Sequence, residues 1–301
     1  MKPPFHIRAA ALAIALGGIG CGSGLSAQTA AAPPSAAVAE PAPVTFLVPA
    51  YFYPGGPKNE WIRLIKAARK GAKVVAILNP KSGAGDAANA DYAATIADFR
   101  KAGGKIIGYV PTAYVGRMVQ SESSCKPAQG KAYQVADIVA CAAQYEKFYG
   151  RIDGIFLDEM GPADTGVETA EMLRFYQDIY DGLKAINPAW LIVGNPGTHA
   201  DEALLRVGNK GGADILVNFE SPGSQYQEYR PAAYVPRHAA SRFAHMLLET
   251  GPVADFSAVI KIIRSRHAAY IFVTDDTLPN PYDRLPTDWE AQVAAALKEK
   301  G

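Results

Sequence analysis

The sequence predicts a single-domain α/β protein folded as a (β/α)8 TIM barrel. From residue 44 onward, eight short apolar runs of strand length alternate with longer amphipathic segments. That order places helices between parallel strands. Runs such as Val74-Val75-Ala76-Ile77-Leu78 are continuously apolar, as strands covered on both faces must be. Residues 44–301 contain no further linker-like break, and their length suits one barrel of about 250 residues. An open doubly wound sheet is the rival, and eight units favour closure.

Each element has its own signal. A first strand is expected over 44–49, then a helix over 60–70 that Asn59 can cap and Gly71 can end. A second strand over 73–78 precedes a helix over 92–102, ended by Gly103. The third strand, 105–110, leads to a helix over 135–149 with Gly150 behind it. The fourth unit pairs strand 154–157 with helix 165–186, and the fifth pairs 190–193 with a helix over 200–207. After the sixth strand, 215–219, a short piece between 226 and 240 reads as either helix or loop. Strand 243–248 with helix 256–265, and strand 269–273 with helix 288–300, complete the set, with Thr287 a suitable N-cap for the last.

Residues 1–27 read as an export leader. Lys2 and Arg8 precede an apolar run over 9–16, and small residues lead to Leu25-Ser26-Ala27. The run is too short to span a bilayer. Export to the periplasm or the cell exterior is expected, with a lipoprotein route through Cys21 as the competing possibility. Residues 28–43, rich in Ala and Pro, read as a linker with little to bury. The domain then occupies 44–301, with no later stretch apolar enough to cross a membrane.

The 30 basic side chains balance 29 acidic ones, and loss of Lys2 and Arg8 with a leader leaves one acid in excess. This balance gives no electrostatic case for nucleic acid or an anionic membrane. It favours a neutral or weakly cationic substrate. Cys125 and Cys141 remain after leader cleavage, and they read either as a disulfide in an oxidising compartment or as two thiols.

Active-site groups of this barrel sit at the C-terminal ends of strands. Those ends supply Tyr51 and Tyr53, Asn79, Tyr109 and Tyr114, Asp158 and Glu159, Asn195, Asn218 and Glu220, and Asp275. Acids, amides and tyrosines dominate, an inventory suited to sugars. Asp158-Glu159 follows the apolar Gly-Ile-Phe-Leu, and Glu220 ends a strand two units later. Glycosidic cleavage needs two carboxylates, and neighbouring acids push their pKa values apart. The run from Asn79 to Asp86 reads as a tight βα turn rather than a phosphate cradle, because it lacks a Gly-Lys-Ser/Thr ending. Tyr226, Tyr229 and Tyr282 could extend a binding groove. No His-x-His, His-Glu-x-x-His or Gly-x-Ser-x-Gly occurs, so neither a metal, a cofactor nor a serine nucleophile is expected.

Several segments in order resemble the spherulin-4-like family of exported glycoside hydrolases. They are Val48-Pro49-Ala50-Tyr51-Phe52-Tyr53-Pro54, Asn79-Pro80-Lys81-Ser82-Gly83-Ala84-Gly85, Gly108-Tyr109-Val110 with Tyr114, Gly154-Ile155-Phe156-Leu157-Asp158-Glu159, Asn195-Pro196-Gly197 and Asn218-Phe219-Glu220. Ala84 departs from the pattern, where proline is expected. The resemblance implies a (β/α)8 barrel acting endo on α-1,4-linked galactosamine or N-acetylgalactosamine exopolysaccharide such as galactosaminogalactan, in biofilm matrix remodelling or export. It places the family's acids on Asp158, Glu159 and Glu220. Retention is the expected outcome, with Asp158 as nucleophile, Glu220 as acid/base and Glu159 orienting the sugar. Substrate contacts are expected from Tyr51, Tyr53, Asn79, Tyr109, Tyr114, Asn195, Asn218 and Asp275, in a monomer. The alternatives are a non-catalytic polysaccharide binder on the same barrel and a metal-dependent deacetylase of the same polymer.

Overall fold

The computed structural model describes residues 43–299, apart from 57–58, 120–122, 128–129, 162–165 and 198–199. The expected leader and all of the linker but residue 43 lie outside the described residues.

Eight parallel strands close into a barrel in sequence order: β1 (Thr45–Ala50), β2 (Val74–Leu78), β3 (Lys105–Pro111), β4 (Gly154–Asp158), β5 (Leu191–Gly194), β6 (Ile215–Pro222), β7 (Phe243–Leu248) and β8 (Tyr270–Val273). The pairing Phe46↔Ile271 seals β1 to β8. The helices are α1 (Glu60–Arg69), α2 (Ala90–Lys101), α3 (Val135–Tyr149), α4 (Thr169–Ile186), the four-residue α5 (Gly223–Tyr226), α6 (Phe256–Ser265) and α7 (Trp289–Lys298).

The caps explain where helices begin and end. Asn59 accepts from the Trp61 amide at the start of α1, and Gly71, Gly103 and Gly150 follow α1, α2 and α3 with positive φ. Thr287 is not the cap of α7, because Asp288 holds that position and the Thr287 hydroxyl donates to Asp275 instead. The apolar side of each long helix is buried on the barrel. Trp61 and Leu64 of α1, Tyr145 and Ile138 of α3, and Tyr176 and Ile179 of α4 are each fully enclosed, burials of about 1.5–3 kcal/mol per large apolar side chain.

The fifth unit departs from the expected pattern, and in the sixth the loop reading holds. Residues 200–207 form only a 3-10 turn, Glu202–Leu204, because Leu205 bridges to Ala213 and Val207 to Lys210 in a tight return. Leu204 and Leu205 are buried by that turn, which gave the stretch its helical look. Between 226 and 240 the chain makes loop and one 3-10 turn, Val235–Arg237, since Pro231 and Pro236 cannot continue a helix.

Two loops at the C-terminal rim are tied together. Asn79 accepts from the Gly83 amide at 3.1 Å, and Ser124 accepts from the Gly85 amide at 3.0 Å. The Tyr149 hydroxyl donates to the Ala84 carbonyl at 2.9 Å. The amides of Gly83 and Gly85 are thus engaged by the protein, as a structural turn requires. Cys125 and Cys141 form a disulfide, with Cα atoms 5.2 Å apart, joining the β3–α3 loop to α3. Of the two readings of these cysteines, the bonded one holds.

Candidate active site

β4 ends on Asp158, Asn195 directly follows β5, and Glu220 lies near the end of β6. Parallel pairing in register, Pro111↔Asp158 and Leu157↔Gly194, brings these ends to one mouth. Asn195 is held rigidly: its amide donates to Leu157 O at 2.8 Å and its carbonyl accepts from Met160 N at 2.9 Å. In β6 the register with β7 slips between Val217 and Phe219. A bulge two residues ahead of Glu220 is the kind of irregularity that re-aims a side chain.

The Asn195 Nδ2 donates to Asp158 Oδ1 at 2.8 Å and to Glu220 Oε2 at 2.7 Å. One amide group has two hydrogens, and both are spent on carboxylates. Its Oδ1 accepts from the Gly197 amide at 3.0 Å, which fixes the amide's orientation. Two oxygens at 2.8 and 2.7 Å from one nitrogen lie no more than 5.5 Å apart. The other oxygen of each acid has a tyrosine. Tyr109 donates to Asp158 Oδ2 at 2.7 Å, and Tyr282 donates to Glu220 Oε1. The Tyr51 ring stands edge-on between them, 5.6 Å from Tyr109 and 5.4 Å from Tyr282.

Glu159 follows with φ of 56°, outside the alternation of the strand. Its backbone is pinned from the β3–α3 loop, where the single hydroxyl hydrogen of Thr112 is shared between Asp158 O, at 2.9 Å from Oγ1, and Glu159 O, at 2.8 Å. The Tyr114 amide donates to Glu159 O at 2.8 Å. Ala113 and Tyr114 also have left-handed backbone, φ 54° and 52°, so strain is concentrated beside the acids, as it often is at functional sites.

The three acids are partly exposed at the cleft floor, yet protein encloses them enough for burial to dominate their titration. Burial raises the Asp158 carboxyl, while Tyr109, the Glu159 backbone amide and Asn195 draw it back down. Burial and then the charge of Asp158 push Glu220 up to about 7, against the pull of Tyr282 and Asn195. Burial and Asp158 push Glu159 up to about 7 as well, with Arg117 opposing. Tyr51, Tyr109 and Tyr282 are raised well above the ordinary phenol range by burial first and then by the neighbouring acids. They stay neutral donors. Two adjacent acids, each held by neutral donors, are an arrangement that can divide into an attacking carboxylate and a proton-giving carboxyl.

The other expected contacts scatter. Tyr114 lies at the mouth with the Arg117 guanidinium 4.9 Å from its ring centre. Asn218 is buried, and neither amide atom of its side chain has a hydrogen-bond partner. Tyr53 is half-exposed, donates to Asp91 and sets its ring edge-on to Tyr92. Asn79 serves the turn already described. Asp275 accepts from Arg284 at 2.9 Å, from the Thr287 amide at 3.1 Å and from the Thr287 hydroxyl at 2.8 Å. Its oxygens are engaged within the β8–α7 loop. His245 packs against Phe219 and pairs with the Tyr226 hydroxyl at 2.6 Å, and burial lowers it to about 3, so it stays neutral. Tyr282, expected only as a groove extension, is the direct partner of Glu220; its place in a loop after β8 has no spacing signal that could have revealed this. Among the described residues no group of three or more His, Cys, Asp or Glu could hold a metal ion, and no helix is long and apolar enough to cross a membrane.

Residues 45–296 match the family described as Spherulin4, spherulation-specific family 4. The chain is 30% identical to Spherulin-4 of Physarum polycephalum over 183 residues, 60% of this chain and 46% of that protein. It thus spans about half the length of that relative. Among solved structures it is similar to Aspergillus clavatus Sph3 in complex with GalNAc, with a TM-score of 0.65 at 20% identity over 85% of this chain and 98% of that one. The exo-beta-1,4-mannosidase Op5Man5 from Opitutaceae bacterium strain TAV5 gives 0.52 at 13% identity, over 85% and 59% of the two chains. At these identities the structures share the barrel. With nearly every residue of the barrel inside the family match, the chain belongs to the Spherulin4 family.

Proposed function

We propose that the protein is a retaining, endo-acting glycoside hydrolase of α-1,4-linked galactosamine or N-acetylgalactosamine exopolysaccharide. The observation that carries the chemistry is the Asn195 bridge, which keeps the nearest oxygens of Asp158 and Glu220 within 5.5 Å. Retaining enzymes place their two carboxyl groups about 5–5.5 Å apart, inverting ones farther. Asp158, with three donors favouring its ionised form, is the nucleophile. Glu220, pushed up to about 7, is the acid/base.

In the first step the Glu220 carboxyl gives its proton to the glycosidic oxygen while an Asp158 oxygen bonds the anomeric carbon. The C–O bond to the departing chain breaks, leaving an ester between Asp158 and the sugar. In the second step Glu220, now a carboxylate, takes a proton from water as that water attacks the anomeric carbon. Asp158 leaves and the original anomeric configuration is restored. Glu159 orients the sugar at the cleft wall. The substrate class is supported by family membership and by the GalNAc in the Sph3 complex. A leader over 1–27 would export the enzyme, as a monomer, to a matrix polymer outside the cytoplasm.

The test is reducing-end release from purified galactosaminogalactan. Wild type should cleave and yield the α-anomer first, while Asp158→Asn and Glu220→Gln should each lose at least about a thousandfold in rate. Equal activity in either variant, or saturable binding without cleavage by wild type, would sink the assignment.

A further inference from the structure

We infer that Tyr282 is the positioning residue for Glu220, and that the Asp275–Arg284–Asp276 clamp at the base of the β8–α7 loop holds it there. The inference rests on the hydrolase reading for its catalytic consequence, though not for its structural content.

Tyr282 lies nine residues beyond β8, in a loop with no regular structure between Val273 and Trp289. Such a segment does not hold a side chain in place by its backbone alone. Here the loop is closed at its base. Arg284 Nη1 reaches Asp275 at 2.9 Å and Nη2 reaches Asp276 at 3.2 Å, so one guanidinium fork ties the residues just after β8 to a position two residues past Tyr282. Thr287 adds its amide and hydroxyl to Asp275, and Asp276 N is held by Thr274 Oγ1 at 3.0 Å. Leu285 and Thr274 on either side of this knot are buried. The ring of Tyr282 is braced by Tyr51 at 5.4 Å and by Phe272 of β8 at 6.0 Å. Its hydroxyl is thereby aimed at Glu220 Oε1, the oxygen that Asn195 leaves free.

Asp275 therefore has a different task from a sugar contact. It acts on Glu220 at two removes, through Arg284 and Tyr282. The groups facing Glu220 are Asp158 from β4, Tyr51 after β1, Tyr114 in the β3–α3 loop and Tyr282 itself. Tyr282 and, from the end of β5, the Asn195 side-chain amide donate to the Glu220 carboxylate. Removing the hydroxyl favours the protonated acid, so the titration of Glu220 moves upward.

The experiment compares wild type, Tyr282→Phe, Arg284→Met and Arg284→Lys by carbon-13 NMR of labelled glutamate carboxyls, with Glu220→Gln identifying the resonance. Tyr282→Phe should move the Glu220 titration up by about one pH unit, the effect of losing one charge-assisted hydrogen bond. Arg284→Met should move it the same way, and Arg284→Lys should restore part of the wild-type value. On galactosaminogalactan, Tyr282→Phe should lower kcat about 10- to 100-fold with KM little changed, and carry the alkaline limb of the pH profile upward. An unchanged Glu220 titration in Tyr282→Phe overturns the inference. A shift in Tyr282→Phe with none in Arg284→Met overturns the clamp. The titration needs no substrate, so a wild type that cleaves nothing would refute the hydrolase reading and leave this result standing.

Discussion

Replacing Glu159 with Gln should stabilise the folded protein above neutral pH and leave its stability unchanged near pH 4. Burial and the charge of Asp158 push this carboxyl from 4.5 to about 7, whereas in the unfolded chain it titrates at about 4.3. Between those values the folded state retains a proton that the unfolded chain has released, so stability falls as pH rises from about 4.3 to about 7. One pKa unit corresponds to about 1.4 kcal/mol, so the full displacement is worth roughly 4 kcal/mol. The side chain is partly exposed, and solvent screening reduces the expectation to on the order of 2 kcal/mol. Gln preserves the volume and one acceptor oxygen, while removing the charge. Urea unfolding followed by fluorescence of the buried Trp61, Trp190 and Trp289 reads the difference. The variant should have the higher midpoint at pH 8, and the two curves should merge at pH 4. A variant no more stable at pH 8, or a gap that persists at pH 4, refutes the electrostatic account of this site.

The same geometry gives further expectations. Asn195→Ala removes the donor shared by both carboxylates and should lower kcat/KM about 100-fold on galactosaminogalactan with the fold intact by circular dichroism; a loss under fivefold would show the bridge to be dispensable. Hydrolysis by wild type should decline as pH rises through about 7, where Glu220 gives up its proton, and a rate still climbing at pH 9 would exclude Glu220 as the acid. Gly83→Ala would drive a Cβ into Cys125 Sγ and Ser124 Oγ at a φ of 147°, and should destabilise by about 2 kcal/mol or more in urea unfolding. Cys141→Ser opens a loop of sequence separation 16 and should cost about 3 kcal/mol in the same measurement.

The barrel was legible because its strands carry their own signature. A run such as Val74–Leu78 is apolar throughout because helices cover one face and the barrel interior the other. The position of the candidate acids was legible for a related reason: the strand ends of a barrel form one mouth, and Asp158, Asn195 and Glu220 are each found there. Two kinds of feature escaped. Ala200, Ala203, Leu204 and Val207 have helical spacing, yet glycines at 208, 211 and 212 let the chain fold back and bury Leu204 and Leu205 in a turn. The duties of Asp275 and Tyr282 depend on how the β8–α7 loop returns upon itself, a non-local matter that no spacing encodes. An aspartate just past a strand looks alike whether it binds sugar or Arg284.

The choice of partners at this mouth suits the roles proposed for the acids. Among the described residues Arg117 is the cation that acts on Glu159, and the groups that act on Asp158 and Glu220 are burial, neutral donors and the neighbouring acid. Among the described residues, tyrosine and amide groups make the side-chain hydrogen bonds to those two. An arginine in place of Tyr282 would orient Glu220 equally well, but its charge would pull the carboxyl down by one to three units or thereabouts, leaving it ionised and useless as an acid at neutral pH. Neutral donors orient a carboxyl while depressing it far less, and burial then holds it near 7. Asp158 gains most from the same donors because it accepts from Tyr109, from Asn195 and from the Glu159 backbone. Under the proposed mechanism, the third neutral hydrogen bond, from the Glu159 backbone, is what favours Asp158 over Glu220 as the nucleophile.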